Sequence, residues 1–111
     1  MAFTANGIMM FSDIYVTASN LEEATLIARA IIEEKLGACA NIHPIKSMYR
    51  WKGTIQEDEE YAVSIKTKTE LVDKVIARVK ELHSNETPCI ISFRMASGWQ
   101  PYLDWIREET E

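Results

Sequence analysis

The chain has 111 residues, with 12 Lys and Arg against 17 Asp and Glu, so its formal charge is −5 with both histidines neutral. The sequence pI near 5.1 and the lack of any Lys/Arg-rich run argue against non-specific binding to nucleic acid or to an anionic membrane, because either would be repelled by the averaged field. At 47% hydrophobic and 26% charged residues the composition is that of an ordinary globular protein, a single domain over residues 1–111 is the expectation, and a core of this size needs no disulfide staples.

Ile8–Thr17 is apolar and rich in β-favouring residues (Ile14, Tyr15, Val16, Thr17) and stops at the polar pair Ser19 and Asn20, which predicts a buried first strand. From Leu21 the spacing turns helical. Leu21, Ala24, Ala28, Ile31 and Ile32 share one face, Ser19 or Asn20 is placed as N-cap with Glu22 or Glu23 three residues on, and Gly37 is the expected stop. Ala38–Trp51 reads as extended, and Pro44, which cannot donate a ladder hydrogen bond, predicts a bulge or an edge position midway. Trp51-Lys52-Gly53-Thr54-Ile55 carries the glycine-containing break of a hairpin. After the acidic run Glu57–Glu60, Tyr61, Val63 and Ile65 alternate with Ala62, Ser64 and Lys66, so two long antiparallel strands follow. Thr67–Glu70 has the form of a second capping box, and Val72, Val75, Ile76, Val79 and Leu82 give an amphipathic helix ending near His83. Cys89–Met95 reads as a short apolar strand, and beyond Gly98 and Pro101 the segment Tyr102–Glu109 reads as a short terminal helix.

The order β-α-β then β-α-β, with the halves joined by a hairpin, predicts an α+β, ferredoxin-like split βαβ sandwich: an antiparallel sheet with two helices on one face and a short C-terminal helix. Such a sheet leaves its second face bare. Tyr49, Trp51, Tyr61, Trp99 and Trp105 supply more large apolar surface than one helical layer buries, which points to oligomerisation. No run approaches the roughly 20 apolar residues of a membrane span, and Met1–Met10 lacks the charged and apolar regions of a secretory leader, so a cytoplasmic location is expected. The polar, glycine-containing stretch Met1–Gly7 is expected to fray.

Several side chains carry potential chemistry. His83 and Glu86 stand three apart at a helix end, a spacing that lets imidazole nitrogen and carboxylate oxygen face one divalent metal ion; the competing reading is a surface histidine favoured by the helix dipole. Cys89 nearby would soften such a site toward copper or zinc, or it is a small hydrophobe opening a buried strand. Cys39, in a strand of small residues, is a further candidate ligand, against a packing role. The two cysteines are too few for a disulfide framework and lack the spacing of an evident zinc site, so reduced thiols are expected. Lys66 alternates with apolar neighbours and either projects into an inter-subunit cleft, where it would attract an anion, or snorkels from a strand end. Tyr49, Arg50 and Trp51 would line such a cleft, or form an oligomer interface rich in Tyr, Trp and Arg. The carboxylates of Glu57–Glu60 alternate between faces along a strand and cannot converge on one ion. The chain has no phosphate-binding loop, dinucleotide-binding glycine motif, HExxH or GxSxG, so no catalytic residues are assigned and no enzyme is expected.

A set of phrases from Tyr15 to Ile106 resembles the CutA divalent-cation tolerance family: Tyr15-Val16-Thr17-Ala18, Glu34-Lys35-Leu36-Gly37-Ala38-Cys39-Ala40-Asn41-Ile42, Tyr49-Arg50-Trp51-Lys52-Gly53, Ile65-Lys66-Thr67 and Tyr102-Leu103-Asp104-Trp105-Ile106. The resemblance implies a subunit similar to the nitrogen-regulatory PII proteins, a homotrimer whose long strands extend into neighbouring subunits, and binding of copper or other divalent ions, with no organic cofactor. One departure stands out: the family's His-Pro-Tyr-Glu-x-Pro-Glu segment is here His83-Ser84-Asn85-Glu86-Thr87-Pro88-Cys89, without the Tyr and the last Glu. Some members also use as a copper ligand a cysteine at the position of Val16, so of that ligand set only His83 carries over. The leading expectation is a trimeric metal-binding protein involved in the response to metal ions. Beside it stand a PII-like module binding a small anion through Lys66 and Arg50, a small enzyme using Lys66 or His83 as general base, and a scaffold contacting another protein through its aromatic terminal region.

Overall fold

The computed structural model describes residues 9–111. Met1–Gly7, expected to fray, and Ile8 of the expected first strand lie outside the described residues. The elements run β1 (Phe11–Ala18), α1 (Leu21–Glu33), β2 (Cys39–Trp51), β3 (Thr54–Lys68), a single 3₁₀ turn (Thr69–Leu71), α2 (Val72–Leu82), β4 (Ile90–Arg94) and α3 (Gln100–Glu109). The four strands form one antiparallel sheet in the order β2-β3-β1-β4. That is the ferredoxin-like arrangement, in which β1 and β3 are central and β2 and β4 are the open edges.

Alternation decides the two faces. Ile14 and Val16 on β1 pair with Ile65 and Val63 on β3, and all four are fully buried. They meet Ala24, Ile27, Ala28 and Ile31 of α1 and Val75 and Val79 of α2, so the core lies between the sheet and these two helices. The face of α1 is therefore rotated from the expected one: Ile27 is inside, while Leu21 is 50% and Ile32 is 37% exposed.

Both ends of α1 are set by local hydrogen bonds. Asn20 Oδ1 accepts from the Glu23 amide at 2.8 Å, and the Glu23 carboxylate reaches back to the Ser19 amide at 3.1 Å. At the other end the stop is not Gly37. Lys35 takes the left-handed conformation (φ 59°), with its amide on Ile32 O and the Leu36 amide on Ile31 O, the pattern of a Schellman termination. Gly37 is required for a different reason: a Cβ there would lie 2.7 Å from Ile65 Cγ2 and 2.9 Å from Ile31 Cγ2.

Lys52 (φ 48°) and Gly53 (φ 84°) make the two-residue turn between β2 and β3, whose double positive φ matches the right-handed strand twist. Pro44 sits in an unbroken β2–β3 register opposite Tyr61, on the sheet edge and without a bulge. The expected capping box at Thr67–Glu70 does not form. Thr67 is still in β3, buried, and its hydroxyl donates to Leu36 O at 2.6 Å, while α2 begins after the 3₁₀ turn with no side-chain cap.

The face away from α1 and α2 is only partly covered. α3 packs against β3, its Ile106 is fully buried, and the chain beyond it ties back through the Glu111 amide to Lys35 O at 2.9 Å. Ile91 and Phe93 of β4 remain 46% and 56% exposed. Since β1 pairs with β3 only over residues 61–68, the ladder from Ile45↔Glu60 to Trp51↔Thr54 is a two-stranded ribbon that overhangs the body.

Candidate functional site

His83 follows the last residue of α2, Glu86 lies in the turn beyond it, and Cys89 immediately precedes β4. The His83 amide ends the helix by bonding Val79 O at 2.9 Å. Its side chain is completely buried, and both ring nitrogens are engaged. Nδ1 accepts from the Asn85 amide at 3.1 Å, so the proton resides on Nε2, which donates to Thr17 O at 2.7 Å. Thr17 is held from the other side as well, its amide donating to Cys89 O at 3.3 Å. Glu23, at the start of α1, reaches this residue: Oε2 lies 4.0 Å from His83 Nδ1 and accepts from the Ser84 amide at 2.8 Å. Burial pushes the Glu23 carboxyl up, but hydrogen bonds from Ser84 and Ser19 and the proximity of His83 outweigh it and hold it below the ordinary glutamate value.

Glu86 and Cys89 point to solvent, and neither side chain has a partner among the described residues. No group of three His, Cys, Asp or Glu side chains converges among the described residues. Glu86 and Cys89 offer a carboxylate and a soft thiolate, a pair suited to a borderline transition-metal ion, but a closed site for such an ion takes about four ligands. Within one chain the fit to a metal ion is therefore partial.

Cys39 is elsewhere. It starts β2 in the row Cys39–Lys66–Asp13, whereas Cys89 leads into β4 beside Thr17, so the two thiols belong to opposite edges of the sheet. Around Cys39 the partly covered face carries a polar cluster. Lys66 Nζ donates to Asn41 Oδ1 at 2.7 Å and Ser64 Oγ at 2.8 Å and pairs with Asp13 Oδ2 at 3.4 Å, and Ser64 donates to the same carboxylate oxygen at 2.6 Å. An ammonium has three donors, and each has an oxygen facing it. Cys39 Sγ lies 3.8 Å from Asn41 Oδ1. Burial pushes the Tyr102 phenol of α3 up, and Cys39, hydrogen-bonded to it, and Asp13 act in the same direction.

Tyr49, Arg50 and Trp51 lie on the overhanging ribbon, away from Lys66. Tyr49 donates to Asp58, which raises its phenol above the ordinary value, with lesser contributions from burial and the nearby Asp58 and Glu60 charges. Arg50 projects to the face opposite that of Tyr49 and Trp51, since neighbouring strand residues alternate. One chain therefore does not assemble the expected cleft. The sequence reading missed Thr17, Glu23 and Asn85 around His83, and Asp13, Asn41, Ser64 and Tyr102 around Lys66. For the second cluster a signal existed: Asn41 and Cys39, like Ser64 and Lys66, are pairs two apart and so share one face of their strands. Glu23 was already accounted for by the helix cap, which concealed its second role.

These features define a ferredoxin-like α+β domain with two open sheet edges and an overhanging ribbon. The family model described as CutA1 divalent ion tolerance protein matches residues 12–109. A divalent-cation tolerance protein CutA from Archaeoglobus fulgidus is 45% identical over 102 residues, covering 92% of this chain and 100% of the relative. One from Thermus thermophilus is 43% identical over 98 residues, covering 87% and 95%. Among solved structures, the periplasmic divalent cation tolerance protein CutA from A. fulgidus superposes with a TM-score of 0.90 at 45% identity, over 92% of this chain and 100% of that one. The chain belongs to the CutA1 divalent ion tolerance family. Its relatives differ in the compartment their names give, periplasmic for the A. fulgidus structure and chloroplastic for a relative from Arabidopsis thaliana; among the described residues no helix is long and apolar enough to cross a membrane.

Proposed function

We propose that the chain binds divalent transition-metal ions, copper or zinc, as a homotrimer and without catalysis, with Glu86 and Cys89 as its own ligands. The observation that carries this reading is the exposed thiol and carboxylate, without a partner among the described residues, in one short segment leading into an open sheet edge. A neighbouring copy pairing at such an edge would complete the coordination. His83 is not among the proposed ligands, because its ring is buried and either nitrogen could coordinate only by giving up the hydrogen bond it already makes. A trimer is supported by the ribbon. A two-stranded hairpin is marginal in water on its own, and this one exposes Met48 (65%), Trp51 (50%) and Ile55 (62%). The small-anion reading finds less support, since the ammonium of Lys66 is already surrounded by oxygen acceptors.

The test is competition for Zn(II) against a chromophoric chelator, with Cys89→Ser and Glu86→Gln beside the unsubstituted protein. Cys89→Ser is expected to abolish the competition and Glu86→Gln to weaken it. Unchanged competition in Cys89→Ser refutes the assignment.

A further inference from the structure

We propose that the outward face of α1 is a self-complementary docking surface for the same face of a second copy of this chain, the two helices packed antiparallel about a two-fold axis. The helix buries Ala24, Ile27, Ala28 and Ile31 against the sheet, and the opposite stripe leaves Leu21 50% and Leu26 53% exposed. Leu21, Glu22, Thr25, Leu26 and Arg29 are neighbours on that stripe by their three- and four-residue spacings. With Tyr61 of β3 they line a groove of about 970 Å³ beside the helix.

The charge pattern identifies the occupant. Glu23 is taken up by the helix cap and Glu34 by the Arg78 guanidinium at 3.0 Å, whereas Glu22 and Arg29 have no partner among the described residues. They carry opposite signs, stand about 10.5 Å apart along the helix axis and have Thr25 and Leu26 between them. In a two-fold contact residue i meets residue j and j meets i. An axis midway between Glu22 and Arg29 therefore sets Arg29 of each copy against Glu22 of the other, twice, and gathers Thr25 and Leu26 of both copies at the centre. Parallel packing would set Glu22 against Glu22 and Arg29 against Arg29, a like-charge clash that selects the antiparallel register. Leu26 of each copy then enters the groove of the other beside Leu21 and Tyr61, with the ion pairs at the rim, where interfaces carry their charge. One helix face is well below the roughly 800 Å² per partner of a standard interface, so the association is weak and concentration-dependent.

The contact uses neither the ribbon nor the segment carrying Glu86 and Cys89, so it stands or falls separately from the trimer and the metal site. The base unit, one chain or three, is expected to add a further association step, read by sedimentation velocity of the metal-free full chain over a concentration series at low ionic strength. Glu22→Arg and Arg29→Glu each turn both attractions into repulsions, and each is expected to weaken the step about tenfold or more. The double reversal Glu22→Arg/Arg29→Glu re-forms both pairs with the signs exchanged, and an equimolar mixture of the two single variants re-forms them between unlike copies. Both are therefore expected to associate like the unsubstituted chain, while Leu26→Asp abolishes the step. Glu22, Leu26 and Arg29 are exposed and the Asn20–Glu23 cap is untouched, so all these variants are expected to fold. Single reversals that associate like the unsubstituted chain, or a double reversal as weak as the singles, would overturn the proposal. So would the absence of any further step, which would leave the face to a different protein, or a step lost only in Trp51→Ser/Ile55→Ser, which would assign it to the ribbon.

Discussion

Gly37→Ala gives the sharpest test of how tightly α1 is seated on the sheet. The added Cβ would lie 2.7 Å from Ile65 Cγ2 and 2.9 Å from Ile31 Cγ2, against the roughly 3.5–4.0 Å at which carbon atoms attract. Both isoleucines are fully buried and have no solvent side into which to retreat. Overpacking of this kind costs about 1–3 kcal/mol, and the loss of unfolded-state freedom on replacing glycine returns about 0.4–1 kcal/mol, so a net loss of about 1–2 kcal/mol is expected. Chemical denaturation at one fixed protein concentration measures it, because unfolding of the proposed trimer would depend on concentration. Ile65→Leu moves the branch away from Cβ and removes the nearer of the two clashing methyls. The double substitution should therefore be less destabilised than the sum of the singles by about 0.5 kcal/mol or more. Gly53→Ala is the control: φ is +84° there with nothing within 4 Å, so its cost comes from the left-handed backbone alone and does not couple to Ile65. Additive effects of Gly37→Ala and Ile65→Leu would refute the packing argument.

Three further expectations follow from the same contacts. Thr67→Val keeps the shape of a buried side chain but leaves Leu36 O without its 2.6 Å donor, and should cost about 1–3 kcal/mol in denaturant unfolding; a change too small to measure would contradict the role given to Thr67. Glu23 is held below its ordinary value in the fold, so at mildly acid pH the unfolded chain binds more protons and stability rises with pH. This contribution is complete above the ordinary glutamate pKa of about 4.3 and is lost as the pH falls through the lower folded value. Thermal unfolding of Glu23→Gln should therefore show its deficit near neutral pH, with the deficit shrinking as the pH drops below about 4; a deficit independent of pH would be inconsistent with an ionised Glu23. Finally, Trp51→Ser combined with Ile55→Ser removes exposed apolar surface from both faces of the ribbon, and light scattering coupled to size exclusion should show the proposed trimer dissociating on dilution; an oligomer as persistent as the unsubstituted one would exclude the ribbon from the interface.

The sequence reading succeeds where burial imposes a period. Ile14 and Val16, like Val63 and Ile65, must alternate because one face of each strand meets the helices, and Gly53 marks the turn because glycine takes its φ of 84° without steric cost. It fails where a side chain's partner is remote. Thr67 looks like a cap when only Glu70 is considered, and its true acceptor is Leu36, 31 positions away. For His83 it is the alternative of a surface histidine that fails, since the side chain is buried and its Nε2 bonds Thr17 O, 66 positions away. Arg50 is the exception, since its placement opposite Tyr49 and Trp51 follows from strand alternation alone. Lys35 is illegible for another reason: a lysine at a left-handed position carries no sign of it, and the nearby Gly37 draws the assignment to itself.

The most direct test of divalent-ion binding is native mass spectrometry of the full chain with and without stoichiometric Zn(II) or Cu(II), alongside Cys89→Ser and His83→Gln. The expected result is a trimer that takes up about one ion per subunit, loses uptake in Cys89→Ser and retains it in His83→Gln. A protein that stays metal-free, or a Cys89→Ser variant that loads as fully as the unsubstituted chain, would contradict the assignment of this segment as the metal site.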